Sequence, residues 1–287
     1  MNQETLLESV KSLPPAAQIL PKLLTLLRNP DTSSHHIVNL ISLDASLTAQ
    51  VLKLSNSAYY GVSTPSYDLV ESINRIGFGE AFKLVAVICG GKLVDQPLSG
   101  FCIDKGQLWE HSLACAIAME LLAQKSGEDT SVCYTIGLLH AIGKIVFNEH
   151  FADRYEEVFE CVEKEGISLL ESENRVLGYN HAQIGSALLK KWNFSENIYD
   201  PIEFQYTPME SKTHLKLSCM IHLTYWIVAG VGLNFGKDAW AFNADSKAFE
   251  YLNITEDQLH LHIIDVHKRL GEIKSELGLG QKVPSVN

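Results

Sequence analysis

The chain has 287 residues, 46% of them hydrophobic and 20% charged. That is enough for one large domain or two small ones, burying roughly three-quarters of the extended surface with no disulfide or metal staple. Lys plus Arg number 23 and Asp plus Glu 34; a net charge of −11 excludes a general affinity for nucleic acid or anionic membrane, which both require a basic face.

Apolar residues recur at helical spacing along most of the chain, and no run of period-two alternation interrupts them, which predicts an all-α fold. After Pro14, Pro15 and Pro21, the first helix covers 19–27. Asp31, Thr32 and Ser33 supply N-cap chemistry before a helix over 36–43, and Asp44 caps the next, over 47–54. The run Asn56-Ser57-Ala58-Tyr59-Tyr60-Gly61 breaks the pattern. Asp68 opens a helix over 69–76, Gly77 stops it, and a helix over 80–88 follows. Gly90-Gly91 and the 97–106 segment mark an internal boundary between two packed helical lobes, about 13–98 and from about 99 onward. Longer helices then cover 108–125, 130–147, 151–166, 168–177 and 181–192. The most hydrophobic stretch, 217–233, carries Ser218, His222 and Thr224 and falls short of a membrane span; it reads as a buried helix. Thr255-Glu256-Asp257-Gln258 has the form of a capping box, with Ile254 and Leu259 placed as a hydrophobic staple. The helix it opens runs toward Leu277, and the tail after Gly278 reads as loose.

The six cysteines, at 89, 102, 115, 133, 161 and 219, make no C-x-x-C pair, which removes zinc-finger and thioredoxin-like readings. Scattered among apolar neighbours, they read as small core residues in a reducing compartment. The start, Met1-Asn2-Gln3-Glu4, lacks the pattern of a signal peptide, so a cytoplasmic location is expected.

His111, His140 and His181 each sit in a helical, mostly apolar stretch, and singly each is an ordinary core histidine. His140 stands in Gly137-Leu138-Leu139-His140-Ala141-Ile142-Gly143-Lys144, with Lys144 one turn on as a possible phosphate contact. Several imidazoles and a lysine in one helical pocket are able to hold a metal and a phosphate.

That segment, together with Leu13-Pro14-Pro15, the 40–48 segment, Leu54-Ser55-Asn56-Ser57-Ala58-Tyr59-Tyr60-Gly61 and the 181–192 segment, resembles the HDOD domain over about residues 13–210. The helices of 211–287 look like the usual family ending, completing the second, HD-domain-like lobe. The resemblance implies kinship with HD-type metal phosphohydrolases, including the HD-GYP cyclic-dinucleotide phosphodiesterases. Their ligand set is a lone His, an adjacent His-Asp pair and a distant Asp, often with a double His before a proline. Carried onto this chain, the lone His is His111 and the pair is His140-Ala141. The distant Asp falls at Tyr225, the double His at Gln205-Tyr206, and His181 keeps its family position.

The losses fall on the chemistry. Hard divalent cations prefer carboxylates, Ala141 has no ligand atom, and a neutral Tyr225 is a poor substitute. No cofactor is expected; the remaining imidazoles could hold Zn²⁺ or Ni²⁺ weakly if they converge. A helix-turn-helix drawn over 31–61 has Lys53 as its one cation, so core packing accounts for it better. Tyr59, Tyr60 and Tyr67 fit a partner-binding loop and an ordinary connecting loop equally well.

The resemblance therefore implies a non-catalytic regulatory module acting through contacts with signalling proteins. The alternative is a metal-dependent phosphohydrolase acting on a nucleotide or cyclic dinucleotide. A third reading is a binder of such a ligand without turnover, through Lys144. Asn56 is expected to be structural, satisfying backbone groups left open at a helix end.

Overall fold

The computed structural model describes residues 3–9, 18–57, 60–61, 64–233, 236 and 244–276. Among them there is no β-strand, and the one extended pairing is an isolated bridge between Leu98 and Ile103. The all-α reading holds. Leu13-Pro14-Pro15, Ala58-Tyr59 and the tail after Gly278 lie outside the described residues.

The first set of helices is α1 (Gln3–Ser9), α2 (Ile19–Leu27), α3 (Ser34–Ile41), α4 (Ala45–Ser55), α5 (Leu69–Ile76) and α6 (Phe78–Val94). Their starts follow the local chemistry: Leu47 N–H donates to Asp44 Oδ1 at 2.9 Å and Glu71 N–H to Asp68 Oδ1 at 2.7 Å. Gly77 ends α5 at φ +86°, a conformation that side chains resist. α2, α4 and α5 pack on α6, burying Leu20, Leu23, Val51 and Ile73. The segment drawn as helix-turn-helix spends its apolar faces in this core through Ile37, Ile41 and Leu47, as expected.

Asn56 caps α4 and ties the following loop to it. Its Nδ2 donates to Leu52 O (2.9 Å) and Ser66 O (2.7 Å), and its Oδ1 accepts from Ser66 N–H (2.8 Å). Tyr67 stands 90% exposed beyond this clamp. Tyr60 does not join it at the surface: it is half-buried, with its hydroxyl 3.5 Å from Glu80.

The second set is α7 (Gln107–Ser126), α8 (Thr130–Leu139), α9 (Ile142–Phe151), α10 (Tyr155–Glu165), α11 (Leu169–Leu177), α12 (His181–Lys191), α13 (Glu196–Glu203), α14 (Leu215–Gly230), α15 (Ser246–Leu252) and α16 (Glu256–Glu276). α7 is the axis, buried along most of its length and covered by α8, α14 and α16, while α12 packs on α9 and α13. α6 meets α7 and α8, so one continuous apolar core joins the two sets. α16 opens as the capping box predicts, with Thr255 N–H donating to Gln258 Oε1 at 3.0 Å. α14 is the buried helix expected over 217–233.

Among the differences from the sequence reading, two bear on how the helices pack. Gly90 and Gly91 mark no boundary; α6 runs through them. A Cβ at Gly90 would lie 2.9 Å from a Leu138 methyl carbon, and one at Gly91 2.8 Å from the Trp109 indole nitrogen, so both glycines serve close helix packing. The second difference is a break in the 130–147 helix, where His140 ends α8 and Ala141 leaves helical geometry at ψ 9°. The apolar stretch 130–165 is thus divided, and 83% of its most apolar window is buried within the fold. The six cysteines are free; four are buried as expected, whereas Cys102 is exposed in a left-handed turn and Cys161 is half-buried.

Candidate functional site

The break at His140 is held by two close backbone approaches. Gly137 of α8 lies against α7, where a Cβ would meet the Cα of Ala116 at 2.6 Å. Gly143 of α9 lies against the first turn of α12, where a Cβ would run into the carbonyl oxygen of His181. Glycine at both positions brings α7, α8, α9 and α12 together, and with them His111, His140 and His181.

His111 and His140 are direct neighbours, with ring centroids 5.2 Å apart. Each ring is oriented by a backbone carbonyl: His111 Nδ1 donates to Leu233 O at 2.9 Å, and His140 Nδ1 to Gly137 O at 2.6 Å. With Nδ1 committed to a carbonyl, Nε2 is the nitrogen on which each ring, when neutral, carries its lone pair. His111 Nε2 lies 3.7 Å from the Cys115 thiol, one turn along α7. His140 Nε2 is buried with no hydrogen-bond partner. Burial, then the neighbouring His111, holds the His140 imidazole well below its ordinary pKa, and burial pushes the Cys115 thiol up to about 12.

His181 belongs to a different arrangement. It is the first residue of α12, capped by Asn180, whose Oδ1 accepts from Gln183 N–H at 2.9 Å. Its own N–H, not needed by the helix, donates to Glu173 Oε2 at 2.9 Å, and its Nδ1 donates to the same carboxylate at 2.8 Å. Tyr155 adds a hydroxyl donor to Glu173 at 2.6 Å. A buried carboxylate at a helix N-terminus with three donors is fully satisfied. On the other edge, His181 Nε2 lies 3.1 Å from the Tyr206 hydroxyl, which is 2.8 Å from that of Tyr225. His181 therefore reaches the His111–His140 pair through two tyrosines.

Gln205, Tyr225 and Ala141, at the positions where the resemblance implies ligands, are bound into the structure. Gln205 Nε2 donates to the His140 carbonyl (3.1 Å) and Ile202 O (2.9 Å), closing a carbonyl that the helix break leaves open. The Tyr225 hydroxyl reaches Gln205 Oε1 at 2.8 Å, and its ring packs edge-on to His140, centroids 5.4 Å apart. Ala141 is buried. Lys144 is also buried, its ammonium 5.5 Å from the centre of the Phe101 ring. His222 donates Nδ1–H to Gln205 O and accepts Asp245 N–H at Nε2, both at 2.9 Å.

A two-metal phosphohydrolase centre does not fit these residues. Among the described residues, the metal-capable group gathered here is His111, Cys115 and His140, with no carboxylate. Glu173, the buried acid of this region, is spent on His181 and Tyr155.

Glu173 was not legible as part of the site. Its signal was a carboxylate midway between Leu169 and Leu177 on the apolar register of α11. Cys115 read as plain core, although its i, i+4 spacing from His111 places both on one face of a helix.

The site is thus a buried histidine pair with a neighbouring thiol, set among the helices of an all-α domain. The HDOD domain model matches residues 13–208, and the chain belongs to the HDOD family. Its fold matches an HDOD domain protein with unknown function from Geobacter sulfurreducens at TM-score 0.70 and 21% identity, covering 95% of each chain. It also matches a "putative signal transduction protein" from Marinobacter aquaeolei VT8 at TM-score 0.75 and 21% identity, covering 96% of this chain and 60% of that one. An uncharacterized protein of Treponema pallidum is 27% identical over 222 residues, 74% of this chain and 42% of its own length, so the chain spans about two-fifths of that relative.

Proposed function

We propose that this chain is a non-catalytic regulatory HDOD protein, relaying a signal through contacts with other proteins. The observation that carries this reading is the internal hydrogen-bond network Tyr225–Gln205–His140 carbonyl, formed by residues at positions where the resemblance implies metal ligands. First-shell ligands set both metal affinity and water activation, so two lost carboxylate positions remove the means of hydrolysis. A neighbour in fold with a signal-transduction name is consistent with a relay role. Leu43 and Tyr67, 74% and 90% exposed, are large apolar side chains available to a partner.

The test is hydrolysis of cyclic dinucleotides, nucleotides and aryl phosphates by the intact chain supplied with Mn²⁺, Fe²⁺ or Mg²⁺. The expected result is no turnover above a no-enzyme control and no stoichiometric binding of those ions. Metal-dependent turnover abolished by His140→Ala would overturn the reading in favour of a phosphohydrolase. The double variant Ala141→Asp, Tyr225→Asp restores both carboxylates, and a gain of Mn²⁺ binding in it alone supports the lost-ligand account.

A further inference from the structure

The two imidazoles beside Ala141 are arranged as ligands even though the carboxylates are gone. Metal-bound histidines characteristically donate their second ring N–H to a carbonyl or carboxylate, which fixes the tautomer and aims the other nitrogen at the ion. His111 and His140 both do this, through Leu233 O and Gly137 O. His111, Cys115 and His140 each bring one ligand atom, a ring nitrogen or the sulfur, within 4.8 Å of the other two. His140 is 1% exposed, and its Nε2 has no partner, so this site holds an unanswered lone pair inside the core.

The distances suit one ion. A tetrahedral centre with ordinary Zn–N and Zn–S bonds separates its N and S donors by about 3.6 Å. His111 Nε2 and Cys115 Sγ are already 3.7 Å apart, held at that spacing by the i, i+4 turn of α7. With the three ligand atoms within 4.8 Å of one another, His140 completes the set by a side-chain shift of at most about 1.5 Å toward the other two.

We propose that His111, Cys115 and His140 form a mononuclear Zn²⁺ site of two nitrogens and one sulfur, unlike the carboxylate-rich centre the fold family implies. One thiolate and two imidazoles are borderline-soft donors that select Zn²⁺ over Mg²⁺ or Mn²⁺. Binding forms the Zn–S bond as the Cys115 thiol gives up its proton, so one proton leaves for each ion bound. Nε2 of each ring is the ligating atom and Nδ1–H keeps its carbonyl bond. The fourth position is left for water. The site goes beyond the regulatory reading and stands whether or not the cleft turns over a substrate.

The experiment uses the full chain, stripped with chelator and titrated with Co²⁺ as a spectroscopic stand-in for Zn²⁺. The expected result is one equivalent bound, with a thiolate-to-cobalt charge-transfer band and tetrahedral d–d bands that Zn²⁺ then bleaches. Cys115→Ser loses the charge-transfer band and binds at least about tenfold more weakly, as does His140→Ala. Cys133→Ala, a buried free cysteine outside the cluster, leaves the titration unchanged. X-ray absorption on the Zn²⁺-loaded wild-type chain needs no variant and reads one sulfur with nitrogen or oxygen neighbours. Absence of saturable binding, a charge-transfer band that survives Cys115→Ser, or a sulfur-free absorption spectrum would overturn the site. Hydrolysis by the Zn²⁺-loaded protein would instead overturn the non-catalytic reading and leave the site standing.

Discussion

Asn56→Ala removes the clamp between the end of α4 and the loop that leads into α5. Three hydrogen bonds disappear, and the N–H and carbonyl of Ser66, a residue 3% exposed, lose their partner. At roughly 1 kcal/mol net per bond, with an added cost where the abandoned group stays buried, the loss is about 2–4 kcal/mol. Asn56→Asp separates geometry from size. It keeps the acceptor for Ser66 N–H but turns a carboxylate toward the carbonyls of Leu52 and Ser66, replacing two donations with repulsion. Asp is therefore expected to destabilise at least as much as Ala. Urea unfolding with a shared m-value measures both variants, and amide exchange at Ser66 reads the clamp directly through its lost protection. A stability change under about 0.5 kcal/mol in Asn56→Ala, or an Asp variant as stable as wild type, would refute the reasoning.

Gly143→Ala drives a methyl into the His181 carbonyl and is expected to cost about 3 kcal/mol, whereas Gly271→Ala, in α16 with nothing within 4 Å, should gain up to about 1 kcal/mol from helix propensity. Equal thermal shifts in the two variants would deny the close α9–α12 approach. Glu173→Gln keeps the shape but sets an amide N–H₂ or a neutral oxygen against three donors; a loss of about 2–3 kcal/mol is expected, and unchanged denaturant stability would show the network is dispensable. Burial depresses the imidazoles of His222 and His262 below their ordinary 6.5. The unfolded chain thus binds more protons than the folded one as pH falls from 6.5, so their stabilising contribution is complete above that value and declines through the depressed folded pKa. A urea-stability profile that stays flat below pH 6.5 would contradict this, and His222→Asn with His262→Leu should reduce its slope, with buried His140 retaining its own share.

The sequence by itself determined what depends on neighbours along the chain. Asp44, Asp68 and the Thr255–Gln258 pair cap helices because a side chain and the N–H groups it serves lie within three residues of each other. Helical periodicity settled the fold class for the same reason, and the 54–61 run marked a family whose one legible structural device was Asn56. The motif resemblance also singled out His111, His140 and His181, with residues 141, 205, 206 and 225, which the fold gathers around them. Tertiary structure alone decided what those residues touch. Gly90 and Gly91 read as punctuation, but the reason for them is Leu138 and Trp109, far along the chain. The break at His140–Ala141 has no proline or glycine of its own to announce it; it is held by Gly137 against α7, Gly143 against α12 and Gln205 on the freed carbonyl. Glu173 and Tyr206 divert His181 from the imidazole pair, and the carbonyls of Leu233 and Gly137 aim that pair at Cys115. Partners such as His111 and Leu233, 122 residues apart, or His140 and Gln205, 65 apart, leave no periodic trace, because the direction of a buried polar side chain is set by whichever group the fold brings against it.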